Sequence, residues 1–435
     1  MLGLDPRPSP PSPPAASAAP GRPAWSRPSV LAMLTVALVC VPQQRDTLAS
    51  GFHVTAADLA ATGLAAAAAV SALRSRRRLP RRVCVLVLPA VAVALATLTS
   101  ADVLGSLPGF VRYLQIFVVV PLAVVIAVRD ETDRRLIAGA VLAAAGVQAL
   151  LGTWQAYSGT GAAYGSENIR AVGTFGAVDV MGMATIVSYG TILVLALLLM
   201  ARGWWKAAAA VPLAVMAAAL VLSLSRGAWL ACCVAALVMV LLSGWRTVLA
   251  TAFAGVVVVA LVLGTGWGSV TLKQRVASIA AISAQPDQSV SDRYGLWETA
   301  VAMWKDHPFL GVGPRGFAAY RDTYAPLQVS GSSDTDDPVN GFQRQELRSP
   351  HNMYLLVLSE QGLVGLSAFC LLWGALIVWT VRRGRKAALV AAGFLAWQLT
   401  DFGYADIGGA PTVVMSVMLG LVMSWAITHD EVSAA

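Results

Sequence analysis

Charged residues are in short supply in this chain. Asp, Glu, Lys and Arg make up 12% of its 435 residues, against roughly 25% in a soluble domain. With 57% hydrophobic residues and a mean hydropathy of +0.68, that shortage excludes an ordinary soluble globule. It predicts a polytopic membrane protein. Cysteine is scarce too. Cys40, Cys84, Cys232, Cys233 and Cys370 lie in or beside apolar runs. They form no Cys-x-x-Cys pair and no ligand spacing, so they read as small membrane-buried side chains rather than a disulfide framework or metal site. There is no Walker loop, no dinucleotide fingerprint and no internal repeat, which removes the usual sequence signs of nucleotide-driven chemistry and of solenoids. The net charge of +8 comes from short basic clusters between apolar runs. That placement points to membrane orientation and to no nucleic-acid partner.

What is present is a series of apolar runs near the ~20 residues that cross a bilayer. Hydropathy places twelve spans, at about 29–42, 55–73, 83–103, 109–128, 136–157, 177–201, 206–224, 228–243, 247–265, 352–380, 387–404 and 410–428. The expected fold class is an all-α polytopic membrane protein of twelve transmembrane helices with one large polar segment carrying short helices. Residues 1–27, rich in Pro, Ala and Ser, read as a disordered cytoplasmic tail. Transmembrane helices 1–9 occupy 28–265, the polar segment 266–350, and helices 10–12 with a short tail 351–435. The run Val30–Val41 has the length of a signal peptide, but no convincing small-residue cleavage site follows, and it is read as a retained first helix. Basic clusters fall at Arg74–Arg82, at Arg129, Arg134 and Arg135, at Arg202 and Lys206, at Arg246, and at Arg382–Lys386. With both termini inside, every cluster lies on the cytoplasmic face. Three places then face outside: the loop at 158–176, the sharp turn Ser225–Gly227, and the segment 266–350.

The stretch Arg293–Gly365 interrupts the apolar pattern and holds two of the four histidines. Within it, Tyr294, Trp297, Val301 and Trp304 fall at helical spacing, an amphipathic stripe with Ser291 as candidate N-cap and Pro308 as stop. Arg293 is either on the solvated face of that helix or an anion ligand. Phe309–Phe317 reads FLGVGPRGF, a glycine turn that either cradles a phosphate through main-chain N–H groups or lets backbone approach closely. Asp334, Asp336 and Asp337 read as a solvated loop, not a metal site. Arg226 stands between two apolar runs in LSLSRGAWLA. Burying it in hydrocarbon is costly, so it faces a polar cavity or snorkels to headgroups. His351 lies where the polar segment re-enters the membrane, and Asn352 can cap the following helix. An imidazole there suits a proton acceptor near neutral pH. Glu360 falls on the opposite face of that helix, which argues against a His351–Glu360 dyad. Arg112 and Gln115, near the outer end of the fourth span, and Arg170, before VGTFG, are further groups able to line an outward cavity.

SRGAWL, RYGLWETAVAMWKDHPFLGVGPRGF and HNMYLLVLSEQGLVGL follow Gln155 and RAVGTFG in that order. Over residues 150–380 the chain thereby resembles the O-antigen ligase and O-antigen polymerase family, bacterial polytopic membrane glycosyltransferases. One departure is GTFGAVD, where the family often has Pro-Asn after GTFG. The resemblance implies a glycosyltransferase of the bacterial plasma membrane whose donor is a glycan on polyprenyl diphosphate and whose acceptor is a glycan, lipid or protein. It implies no nucleotide, metal or other cofactor. It assigns Arg226 and Arg293 to the leaving diphosphate and His351 to the acceptor hydroxyl as catalytic residues. Arg315, Arg112, Arg170, Tyr294 and Asn352 are candidate substrate-binding residues. The motifs do not separate a ligase from a polymerase that extends a polyprenyl-linked glycan. A polysaccharide or lipid flippase would instead carry ionisable residues at mid-span in broken helices, whereas here the central charges sit at helix ends and in the polar segment.

Overall fold

The computed structural model of the chain describes residues 27–42, 55–250 and 288–427, apart from short gaps at 76–78, 164–168, 180, 327–328, 330–332, 338, 340, 346 and 384. Eight helical runs among these residues are long and apolar enough to cross a membrane. They are α2 (Ala56–Ser75), α3 (Val87–Leu98) with its 3₁₀ entry Arg81–Leu86, α4 (Val103–Leu114) continued by α5 (Val120–Ala127), α6 (Glu131–Ser158), α7 (Gly182–Met200), α8 (Trp205–Leu222), α9 (Arg226–Ser243) and, after the polar segment, α12 (Met353–Val381). Two shorter apolar helices, α1 (Ser29–Val39) and α14 (Pro411–Ile427), and α13 (Arg385–Asp401) pack among them. Most of the expected ninth span, 247–265, lies outside the described residues, as does the tail before residue 27.

Local chemistry sets the helix ends. The fourth span begins at Val103, earlier than hydropathy suggested, because Asp102 caps it, accepting from Gly105 N at 2.8 Å. Between α4 and α5 the backbone forms a π-turn, Gln115–Val119. Such a bulge frees carbonyls, and Ser416 Oγ of α14 donates to Ile116 O at 2.6 Å. The seventh helix starts at Gly182 rather than near 177, since Gly176 adopts φ 67°, ψ −165° and breaks the approach to it.

The polar segment holds α10 (Gln288–Asp306), α11 (Gly316–Tyr324) and a two-stranded antiparallel hairpin of β1 (Ser333–Asp337) and β2 (Gly341–Gln345). The hairpin departs from an all-helical reading. Its register pairs Ser333 with Gln345 and Asp337 with Gly341. Ser291 is not an N-cap, because α10 is already helical at Gln288. Leu296, Ala300 and Met303 form the buried face of α10, which packs on α12 and α11.

Side-chain contacts group the basic loops at one end of the bundle. Arg27 pairs with Asp130 and Asp133, Arg129 Nη2 donates to Ser71 Oγ at 2.9 Å, and Arg383 Nη2 donates to Ala426 O at 3.0 Å. Arg82 lies over the Trp379 ring, 5.6 Å from its centroid. The opposite end carries the starts of α2, α9, α12 and α14.

Candidate active site

Two of the sequence motifs, at Gln155 and Arg170, are braces. Gln155 Oε1 accepts from Val172 N at 3.2 Å and Gly173 N at 2.7 Å, while its Nε2 donates to Gly173 O. The guanidinium of Arg170 donates to Ser223 O at 3.1 Å and Leu224 O at 3.5 Å. These two carbonyls belong to the turn that leads into α9, so Arg170 sets the turn just ahead of Arg226. Leu224 itself has φ 53°, a conformation that a leucine holds only when its surroundings impose it. Ser225 then caps α9, its Oγ accepting from Ala228 N at 3.3 Å, and Arg226 is the exposed first residue of that helix.

The glycine turn and the start of α12 form one interlock. Val312 N and Gly313 N donate to Ser359 O and Glu360 O at 3.0 and 2.9 Å. Gly362, at φ 63°, breaks α12 so that Leu363 N and Val364 N reach Pro308 O and Phe309 O at 2.9 and 3.1 Å. The buried Glu360 carboxylate accepts from Phe317 N at 3.2 Å, capping α11. The turn's N–H groups at 312, 313, 316 and 317 are therefore occupied by protein acceptors, and the phosphate-cradle alternative is not what the geometry offers. Arg315, at φ 66°, keeps its side chain exposed.

His351 sits at a second strained point, φ 47°. A histidine in the left-handed region is uncommon and persists where its neighbours are pinned. On one side Trp297 Nε1 of α10 donates to Pro350 O at 3.0 Å. On the other, Met353 N donates to Phe402 O at 2.8 Å and to Ala405 O at 3.1 Å, and Asn352 Nδ2 donates to Gly403 O at 3.3 Å. Asn352 Oδ1 also caps α12, accepting from Leu355 N at 3.1 Å, so that side chain is used at both ends.

The contacts of Met353 N and Asn352 Nδ2 converge on the turn from α13 to α14, Asp401–Ala410. A Cβ on Gly227 would come within 3.2 Å of Tyr404 Cβ, so α9 enters directly against this turn. Arg293, half-buried, lies within electrostatic reach of Arg226, Asp406, Tyr404 and Asp401. Burial, then the like charge of Arg226, pulls its guanidinium below the ordinary arginine value; the two aspartates and Tyr404 oppose this. Asp406 Oδ2 is buried without a hydrogen-bond partner.

Arg226, Arg293 and His351 are thus assembled around one turn. Tyr294 is adjacent to Arg293 on α10. Arg112 belongs to a neighbouring network: it pairs with Asp58, shares Asp58 with Gln115 Nε2, and donates to Gly409 O at 2.9 Å. It braces the far end of the same turn. Sequence reasoning passed over Asp401, Tyr404 and Asp406. Their signal was DFGYADIGG, a polar, glycine-rich break between two spans, of which Asp401 and Tyr404 were counted as span.

Residues 211–370 match the family model described as Wzy_C, O-Antigen ligase. Over these residues the chain is similar to O-antigen ligases. The matched residues contain Arg226, Arg293, His351 and Glu360, whereas the Asp401–Ala410 turn lies beyond them. No curated protein matches the chain. Among solved structures, a chain from "Structural coordination of polymerization and crosslinking by a peptidoglycan synthase complex" is similar at 17% identity and a TM-score of 0.43, covering 80% of this chain and 98% of its own length. This similarity and the apolar helices indicate an integral membrane protein.

Proposed function

We propose that the protein transfers a glycan from a polyprenyl diphosphate carrier to an acceptor hydroxyl on the extracytoplasmic face of the bacterial plasma membrane, without nucleotide or metal. The observation that carries this is the meeting of Arg226 and Arg293, from separate elements, within reach of each other's charge at the turn that also holds the backbone just after His351. Two guanidiniums brought together in a partly buried site repel one another, and a diphosphate is an anion able to bridge them. Arg226 is also the first residue of α9, where the helix dipole favours an anion.

In this reading the acceptor oxygen attacks the anomeric carbon as an imidazole nitrogen of His351 takes its proton. The new C–O bond forms, the bond to the diphosphate oxygen breaks, and its electron pair leaves with polyprenyl diphosphate, inverting the anomeric centre. Charge builds on the leaving oxygen, where Arg226 and Arg293 stabilise it. Asp401 and Asp406 balance the charge of Arg293 before the donor arrives.

The test is transfer in membranes from a polyprenyl-linked glycan, with variants checked for insertion. Arg226→Ala and His351→Ala are each expected to lose transfer by about 10²–10³-fold. Normal transfer by either well-inserted variant would sink the assignment. Product analysis separates ligase from polymerase, since a polymerase leaves ladders on polyprenyl.

A further inference from the structure

Tyr294 has no packing role that explains its position. The buried face of α10 is made by Leu296, Thr299, Ala300 and Met303, whereas Tyr294 is 52% exposed. Its ring meets Trp297 edge-on, with centroids 5.5 Å apart and planes at 87°. Trp297 is itself fixed, because its indole N–H is committed to Pro350 O at 3.0 Å. The indole thus props the tyrosine ring from one side and leaves its other surface open.

The place of this pair matters as much as its shape. Trp297 is one helical turn from Arg293 and faces the same side of α10. Through Pro350 it is joined to the residue before His351. Trp297 therefore links the helix of the arginine that would hold a diphosphate to the segment of the histidine that would take a proton, and Tyr294 packs on it, beside Arg293 in sequence. A pyranose presents a face of C–H groups that are weakly positive, and an aromatic ring presents a negative face.

We propose that Tyr294, supported by Trp297, is a carbohydrate-stacking subsite that receives the C–H face of a sugar ring. This rests on the glycan-transfer reading above. The sugar belongs either to the donor glycan or to the acceptor; the chemistry of recognition is the same. The ring, not the hydroxyl, carries the contact.

The binding test uses the full-length protein in detergent and oligosaccharides released by mild acid from the membranes of the producing cells. Saturation-transfer NMR is expected to show sugar ring protons with the unaltered protein and with Tyr294→Phe. With Tyr294→Ala, and with Tyr294→Leu as a bulky non-aromatic control, the signal should fall roughly three- to tenfold at unchanged thermal stability. In transfer assays the same loss should appear as a raised KM, for the donor or for the acceptor, with kcat little changed; which KM moves identifies the source of the sugar. Equal signals from the unaltered protein, Tyr294→Ala and Tyr294→Leu would overturn the subsite. So would equal losses in Tyr294→Phe and Tyr294→Ala, or absence of signal from the unaltered protein. If the substitutions lower only stability in the bilayer, Tyr294 is an interfacial anchor and the proposal fails. Sugar binding that depends on Tyr294 without transfer by the unaltered protein would leave the subsite standing and remove the transferase reading.

Discussion

His351 and Arg226 can be altered so that backbone and chemistry separate. The φ of 47° at His351 suits asparagine better than most residues. His351→Asn is therefore expected to fold and insert like the unaltered chain. Transfer should fall about 10²–10⁴-fold, because the amide cannot take a proton. A stability loss in thermal unfolding that matched the activity loss would mean the residue serves only the backbone. Arg226→Lys keeps the charge but loses the planar fork. If the two guanidiniums grip a diphosphate bidentately, Lys should cost at least about tenfold in transfer; near-normal activity would show that charge alone suffices. Arg226 could be picked out from sequence because it is charged between two apolar runs, and Arg293 and His351 because they stand in the polar segment and its motifs. Asp401 and Tyr404 could not, since hydropathy averaged over a span absorbs single polar residues at its end. Asp406 lies just beyond that span, but its tie to Arg293 crosses more than a hundred residues, and no local pattern encodes it.

The interlock between the glycine turn and α12 makes predictions for elements rather than single groups. Gly362 has φ 63°, and a Cβ there would meet Phe309 C and O at 2.3 Å and Leu310 N at 2.5 Å. Neither the backbone conformation nor the space admits a side chain. Gly362→Ala should destabilise by about 2–4 kcal/mol, detectable as a lower thermal midpoint in detergent. Glu360 tests a different link. Its Oε1 accepts from Phe317 N, and a glutamine retains that acceptor. Glu360→Gln should keep both fold and transfer, while Glu360→Ala strands the α11 N-terminus and costs about 1–3 kcal/mol. A loss of transfer in a stable Glu360→Gln would instead place the Glu360 carboxyl group in the chemistry. The sequence suggested the glycines and the glutamate as motifs, yet it could not say that they bind each other. Their pairing joins Val312 and Gly313 to Ser359 and Glu360, a long-range register that only the folded chain supplies.

At the scale of the whole molecule, long apolar runs were easily read, and the helices follow them; the hairpin and the π-turn were not, because each depends on local backbone geometry that hydropathy ignores. The placement of the ends gives a testable orientation. Contacts collect Arg27, Arg82, Arg129 and Arg383 at one end of the bundle, and the segment carrying α10 joins the other end through Trp297 and Pro350. Lys and Arg in short loops favour the cytoplasmic side. An exposed residue of α10 should then meet reagents from outside, and one in the α7–α8 loop should not. Glu298 and Trp204 are exposed at these two places. In a chain whose five native cysteines are replaced by alanine, Glu298→Cys should react with a membrane-impermeant maleimide on intact spheroplasts. Trp204→Cys should react only after permeabilisation. The reverse pattern would put the arginine–histidine site on the cytoplasmic side, where a polyprenyl donor presented from the outer leaflet could not reach it, and would overturn the proposed reaction together with the orientation.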